Sequence, residues 1–207
     1  MAFSGFGAYP PDMEDVRDPQ PNTEFDNTPP APGDLEMVRG FMSLHDHVPV
    51  TEDSLPPTRA TIAWWLREHG LLDPAADASN EDLAWAADVL EALRARVLEN
   101  MGAAPDPATI ATLDAAAADV GLAPRFGAEG LVPRADGVRG AVGQVIAIAF
   151  LAELDGSWSR FKECGDPTCR SVFYDRSKNR SGKWCVMAEC GNRAKVRAYR
   201  ERERAKA

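Results

Sequence analysis

Cys164-Gly165-Asp166-Pro167-Thr168-Cys169 and Cys185-Val186-Met187-Ala188-Glu189-Cys190 hold all four cysteines of the chain. Their spacing is Cys-x4-Cys-x15-Cys-x4-Cys. Two short loops that each present two thiolates, joined by a connector long enough for a hairpin, satisfy the soft tetrahedral shell that zinc requires. Redox pairs usually stand only two residues apart. A disulfide scaffold would need an oxidising compartment. Met1 to Pro10 offers neither a basic leader nor a continuous apolar run, so a cytoplasmic location is the expectation. Cys164, Cys169, Cys185 and Cys190 therefore read as the ligands of one structural zinc ion. Four protein thiolates close the shell, which disfavours a catalytic metal.

Working outward, residues 157–207 are too few to build a sufficient apolar core, so metal binding should supply much of their folding free energy. Ser171 to Tyr174 has strand composition, Lys183-Trp184-Cys185 is the expected return strand, and Asp175 to Gly182 the turn between them. Phe173, Tyr174 and Trp184 would form a small core for this hairpin. Asn192 is placed to cap a last helix running from about Arg193 to Arg204. Knuckle, hairpin, second ligand pair and helix are similar to a treble clef, by analogy alone.

The same region inverts the charge of the molecule. The 207 residues carry a net charge of -9, which counts against a nucleic-acid partner if it is spread evenly. It is not: from Ser157 onward 14 Lys and Arg face 6 Asp and Glu, whereas residues 1–156 have 9 against 26. Arg193, Arg197, Arg200 and Arg204 recur at helical spacing on one stripe, with Lys195 nearby. Arg176, Lys178, Arg180 and Lys183 populate the expected turn. These nine residues are the candidate nucleic-acid contacts. Glu201 and Glu203 dilute the stripe, so a merely solvated face stands as the alternative.

Upstream, residues 1–34 contain seven of the sixteen prolines and seven acidic residues against Arg17 alone, the composition of a disordered acidic tail. Residues 35–156 carry helical patterns, making the expected fold mainly α: an Ala-rich helical domain followed by a small four-cysteine zinc module made of a short β-hairpin and a C-terminal helix. Helices are expected over Leu35–His47, Thr58–Gly70, Asn80–Asn100 and Asp106–Gly121, the last with Ile110, Leu113, Ala117 and Val120 inward. Arg125-Phe126 and Leu131-Val132 suggest a short hairpin. A buried helix opens at Asp136 and reaches about Leu154; charged and polar interruptions make it a core helix rather than a membrane span. His45-Asp46-His47 and the Trp64-Trp65 pair read as ordinary polar and packing residues.

Trp158 to Cys164, Phe173 to Ser181 and Trp184 to Arg200, with Cys190-Gly191-Asn192-Arg193 at their centre, resemble the CGNR zinc-finger family. The helical part is similar to the ABATE domain usually joined to it. The resemblance implies a bacterial, zinc-binding, stress-induced transcription regulator whose finger contacts DNA, with the four cysteines as ligands. There is one departure: Phe41-Met42-Ser43-Leu44 stands where the family commonly has Phe-Val-Asn-Thr. A ligand role of that Asn-Thr pair would be lost here.

The expected function is a two-part regulator, not an enzyme, with the helical domain for dimerisation to a homodimer or for signal input. The alternative is a zinc-stabilised adaptor for protein or RNA. The opposite charges of the two parts also raise an intramolecular screening of the basic module by the acidic one.

Overall fold

The computed structural model describes residues 28–44, 59–126 and 130–206. The His45-Asp46-His47 cluster and residues 1–27 lie outside these ranges. Five helices form the body: α1 (Leu35–Met42), α2 (Arg59–Glu68), α3 (Asn80–Glu99), α4 (Pro107–Asp119) and α5 (Gly137–Asp155). Several ends follow from local chemistry. Ser79 caps α3 by accepting the Asp82 N–H at 3.1 Å, and Asp106 caps α4 ahead of Pro107 at its first position. Gly156, at φ +79°, ends α5 in the left-handed conformation that glycine adopts without a Cβ clash.

α5 is the axis of the body. Ten of its nineteen residues are buried, among them Val138, Val142, Val145 and Ile146. Among the described helices it is the one long and apolar enough to cross a membrane, and here it packs against α1, α2, α3 and α4. Phe41, Met42, Ile62, Leu66, Leu90 and Val97 complete this core. The Trp64-Trp65 pair is packing material, with Trp65 buried 5.6 Å from Phe41.

Several expectations need correcting. α1 ends at Met42 with Ser43 as its cap, short of His47. On α4 the inward face is Thr109, Leu113, Ala116, Ala117 and Val120, while Ile110 faces solvent. Leu113, Ala117 and Val120 thus face inward as expected, and Ile110 alone does not, because alanines on every side of α4 leave the edge of its apolar stripe ambiguous. The short hairpin exists, but its first arm is β1 (Ala123–Pro124), paired with β2 (Leu131–Val132). Phe126 is fully exposed at its tip. Residues 28–34 pack on the body: Ala31 is buried, and its N–H donates to Glu36 Oε2 at 2.6 Å.

After α5 a 3-10 turn (Ser157–Arg160) leads into β3 (Phe161–Glu163). Its antiparallel partner is β4 (Val172–Tyr174), with Phe161 opposite Tyr174 and Glu163 opposite Val172. The strand at Ser171–Tyr174 thus returns on Phe161–Glu163, not on Lys183–Cys185 as expected. The first cysteine loop is consequently the turn of this hairpin. A single backbone bond, Gly165 N–H to the Lys183 carbonyl at 2.8 Å, ties the later segment to that turn among the described residues. α6 (Asn192–Arg204) closes the chain, and none of its side chains is buried.

Gly156 does not separate two cores. Trp158, Phe161 and Val172 belong to the core of the helical body, and Phe161 meets Trp158 and Tyr174 edge-on at 5.3 and 5.4 Å. Arg94 of α3, 3% exposed, donates to the Met42 carbonyl at 2.7 Å, to Glu163 Oε2 at 2.7 Å and to the Arg170 carbonyl at 2.9 Å. Burial pulls its pKa down and Glu163 opposes that pull. The variant Phe41-Met42-Ser43 segment sits at the same seam, where Ser43 Oγ donates to the Val172 carbonyl at 3.3 Å.

Candidate metal centre and nucleic-acid interface

A second, smaller cluster consists of Cys164, Phe173, Cys185 and Cys190, with Cys169, Trp184 and Val186 packed against it. The hairpin turn delivers Cys164 and Cys169; a π-type turn over Met187–Gly191 delivers Cys190 opposite Cys185. All four sulfurs lie within 4.8 Å of one another. Sγ of Cys185 is 3.6 Å from that of Cys169 and 3.5 Å from that of Cys190. A tetrahedron with zinc–sulfur bonds of about 2.3 Å has edges of roughly 3.8 Å. A disulfide would need about 2.05 Å.

The thiols cannot all ionise by themselves. Cys169 is drawn far below the ordinary thiol range, first by Cys164 and then by Cys185 beside it. In exchange Cys185 is driven far up by Cys164 and Cys169, and burial pushes Cys190 up to about 12. Thiolates this close together oppose one another's ionisation unless a compensating charge is present. A divalent soft cation removes that limit and accepts four thiolates together. The donor set and its geometry therefore fit zinc, held by Cys164, Cys169, Cys185 and Cys190.

Two aspartates that sequence reasoning passed over organise everything around this centre. Asp166, fully buried, accepts Arg193 Nε at 2.7 Å and Arg197 at 2.9 Å, while its Oδ1 also receives the Thr168 N–H at 3.2 Å. Burial works to raise its pKa, but the bonds from Arg193, Arg197 and Thr168 prevail and bring it down to about 2. Asp175, 3% exposed, accepts Lys162 Nζ at 2.7 Å and the Gly182 N–H at 2.8 Å on Oδ2, and the Ser177 N–H at 2.9 Å on Oδ1. Burial again opposes ionisation, and Lys162 followed by Ser177 and Gly182 hold the carboxyl well below its usual range. A Cβ on Gly182 would stand 2.7 Å from Asp175 Oδ1, so the loop closes this tightly only with glycine there. The visible signal was an Asp with Thr or Ser two residues later, an Asx-turn pattern in each case.

A match to the family model "CGNR zinc finger" covers residues 160–203, and one to "Putative stress-induced transcription regulator", the ABATE domain, covers residues 24–156. The chain belongs to this ABATE–CGNR family. No curated protein matches it.

The CGNR tetrad is explained by support of the metal site. Cys190 is a ligand; Gly191 lies so close to Met187 and Trp184 that a Cβ would come within 2.5 Å of the Met187 sulfur. Asn192 donates through Nδ2 to the Ala188 carbonyl at 2.7 Å, closing the π-type turn. It is not the expected N-cap, because the turn continues directly into α6 and leaves no helix end there to cap. Arg193 spans Asp166 and Cys190 Sγ, the latter at 2.9 Å.

The nine candidate nucleic-acid contacts divide accordingly. Arg193 and Arg197 clasp Asp166, which fixes α6 to the first cysteine loop. Arg176 donates to the Pro30 carbonyl at 2.5 Å and Arg180 to Ser159 Oγ at 2.8 Å. Lys178, Lys183, Lys195, Arg200 and Arg204 are exposed, and among the described residues none has an ion-pair partner. Of the hairpin aromatics, Phe173 is buried and Tyr174 and Trp184 are half-buried.

Proposed function

We propose that the chain is a transcription regulator that grips duplex DNA with its zinc finger, the helical body receiving a signal or a second copy. The carrying observation is the division of labour among the arginines. The Asp166 clasp fixes α6 while Lys195, Arg200 and Arg204 on it, with Lys178 and Lys183 of the loop, remain exposed. Fixed cations on a protruding helix suit phosphates and, through Arg, guanine edges in a major groove. On this reading the protein works by binding, without catalysis, in the cytoplasm, and zinc serves only to hold the shape of the finger. The exposed Phe150, Leu151 and Leu154 of α5 are suited to self-association.

Fluorescence anisotropy with labelled duplexes at several salt concentrations tests the reading. About five phosphate contacts give a log–log salt slope of roughly -4.5. Substituting Lys195, Arg200 and Arg204 with Ala should reduce that slope by about 3. No binding by the zinc-loaded protein at low salt refutes it. A second reading, a protein adaptor, is favoured by Val196 and Tyr199, which lie one helical turn apart on α6 and are each about half exposed. Loss of a protein partner in Tyr199→Ala with duplex affinity unchanged would select it.

A further inference from the structure

One stripe of α5 is not filled in by the helices around it. From Gly137 to Asp155, residues at successive three- and four-residue steps line a groove of about 590 Å³, walled by Leu35 at the start of α1 and by Leu131 and Val132 of β2. The floor is low because Gly140, Ala141 and Ala147 carry little or no side chain. The stripe runs the length of α5, roughly 27 Å, so the groove is elongated. Its wall is held close. A Cβ on Gly140 would stand 2.3 Å from the Ala135 carbonyl oxygen and one on Gly143 2.8 Å from Pro133 Cβ, so the segment after β2 lies against α5 only because both positions are glycine. A volume of this size is that of a small-molecule site.

The charge of this groove has one sign. Asp34, Asp136 and Asp155 stand along it with the exposed amide of Gln144, and among the described residues no Lys, Arg or His lines it. Within the same residues none of the three carboxylates has an ion-pair partner. Asp34 and Asp136 hold the positions just before α1 and α5, where an aspartate usually turns back onto the helix, yet neither side chain bonds the helix N–H groups. Asp155 accepts the Ser157 N–H at 2.8 Å and is otherwise exposed. We propose that the groove binds a linear aliphatic ammonium ion, its chain on the glycine and alanine floor and its head among these carboxylates. The proposal deepens the signal-receiving half of the reading above, and rests on that reading only in treating the occupant as a signal. A second copy is a poor occupant, because it would set the same three acids against each other.

Saturation-transfer NMR on the full-length zinc-loaded protein at about pH 7, where the amines are protonated, tests this with octylamine, 1-octanol and octanoate, which share a chain and differ in charge. Octylamine should bind roughly 3- to 10-fold more tightly than octanol, since exposed ion pairs are individually weak, and octanoate more weakly than either. Butylamine should bind at least about 30-fold more weakly than octylamine, for want of buried methylenes. Two triple variants of equal net charge locate the site. Asp34→Asn with Asp136→Asn and Asp155→Asn keeps a side-chain acceptor at each position and should bring octylamine down to the affinity of octanol. Asp77→Asn with Asp88→Asn and Asp114→Asn, exposed acids outside the groove, should alter it by less than about twofold. Gln144→Arg, a change at an exposed position that lays a resident cation across the groove, should abolish octylamine binding. Equal loss in the two triple variants, equal binding of octylamine and octanol, unchanged binding in Gln144→Arg, or exclusion of every probe, as a seated second copy would cause, overturns the proposal. No DNA enters the measurement: selective octylamine binding by a protein that binds no duplex keeps the site and refutes the DNA reading, and duplex binding with no probe bound does the reverse.

Discussion

α5 and α6 are both regular helices of the same chain, yet ten residues of α5 are buried and none of α6. α5 is stabilised by removal of apolar surface from water, which is strong, non-directional and tolerant of small changes. α6, thirteen residues long, is of a length that is marginal in water by itself. It is held at its first turns by a metal ligand and by two arginines on one buried carboxylate. The lesson is that the two ends of the molecule fail under different insults, and that the exposed part of α6 is left available because so little of it is needed for holding.

The largest effect on this contrast should come from the metal. Chelation removes a binding free energy of about 10–16 kcal/mol, and Cys185→Ser weakens it by taking away one thiolate. Circular dichroism and the environment of Trp184 should report loss of α6 and of the cysteine loops while α1–α5 persist; simultaneous collapse of α5 would show that the two are not separately held. Phe161→Ala acts on the other side, since Phe161 belongs to the body's core. It should cost about 3–5 kcal/mol in urea unfolding with zinc stoichiometry retained.

Asp166→Asn loosens the clasp without touching a ligand. Because Arg193 and Arg197 are half and two-fifths exposed, the loss is reduced by solvent to about 1–2 kcal/mol. Hydrogen exchange should accelerate in α6 and leave α5 unaltered. Asp175 gives the acid signature. Its pKa is depressed in the folded state, so its contribution is fully present above the unfolded value of about 3.9 and is lost as pH falls toward the depressed one. The stability gap between the protein and Asp175→Asn should therefore be constant from pH 8 to about 5 and shrink below about 4. Smallest of all, Ile110→Ser on the solvent face of α4 should alter stability by no more than about 0.5 kcal/mol.

What was legible in the sequence was what depends on near neighbours. Ser79 and Asp106 with Pro107 mark helix starts within a few residues, and the cysteine spacing carries the metal site. What was hidden depends on pairs distant along the chain. Arg193 and Arg197 reach Asp166 across 27 and 31 residues, so their helical period, read alone, made them look available to a ligand. Phe161–Glu163 and Lys183–Cys185 both suit a strand beside Val172–Tyr174, and burial of Phe161 in the body decides between them, a consideration local composition does not contain. Asn192 has the chemistry of a cap, but a cap needs a helix end, and the ligand geometry of Cys190 removed it.

Arg94 gives the boundary between the two family matches a different meaning. One guanidinium joins the end of α1, β3 and the first cysteine loop, while Trp158, Phe161 and Val172 lie in the helical core. The seam near residue 156 thus divides the two family matches but not the packing. A finger cut free at that point would carry an open apolar face and a broken bracket, so this module rests on the helical body as well as on its own metal site.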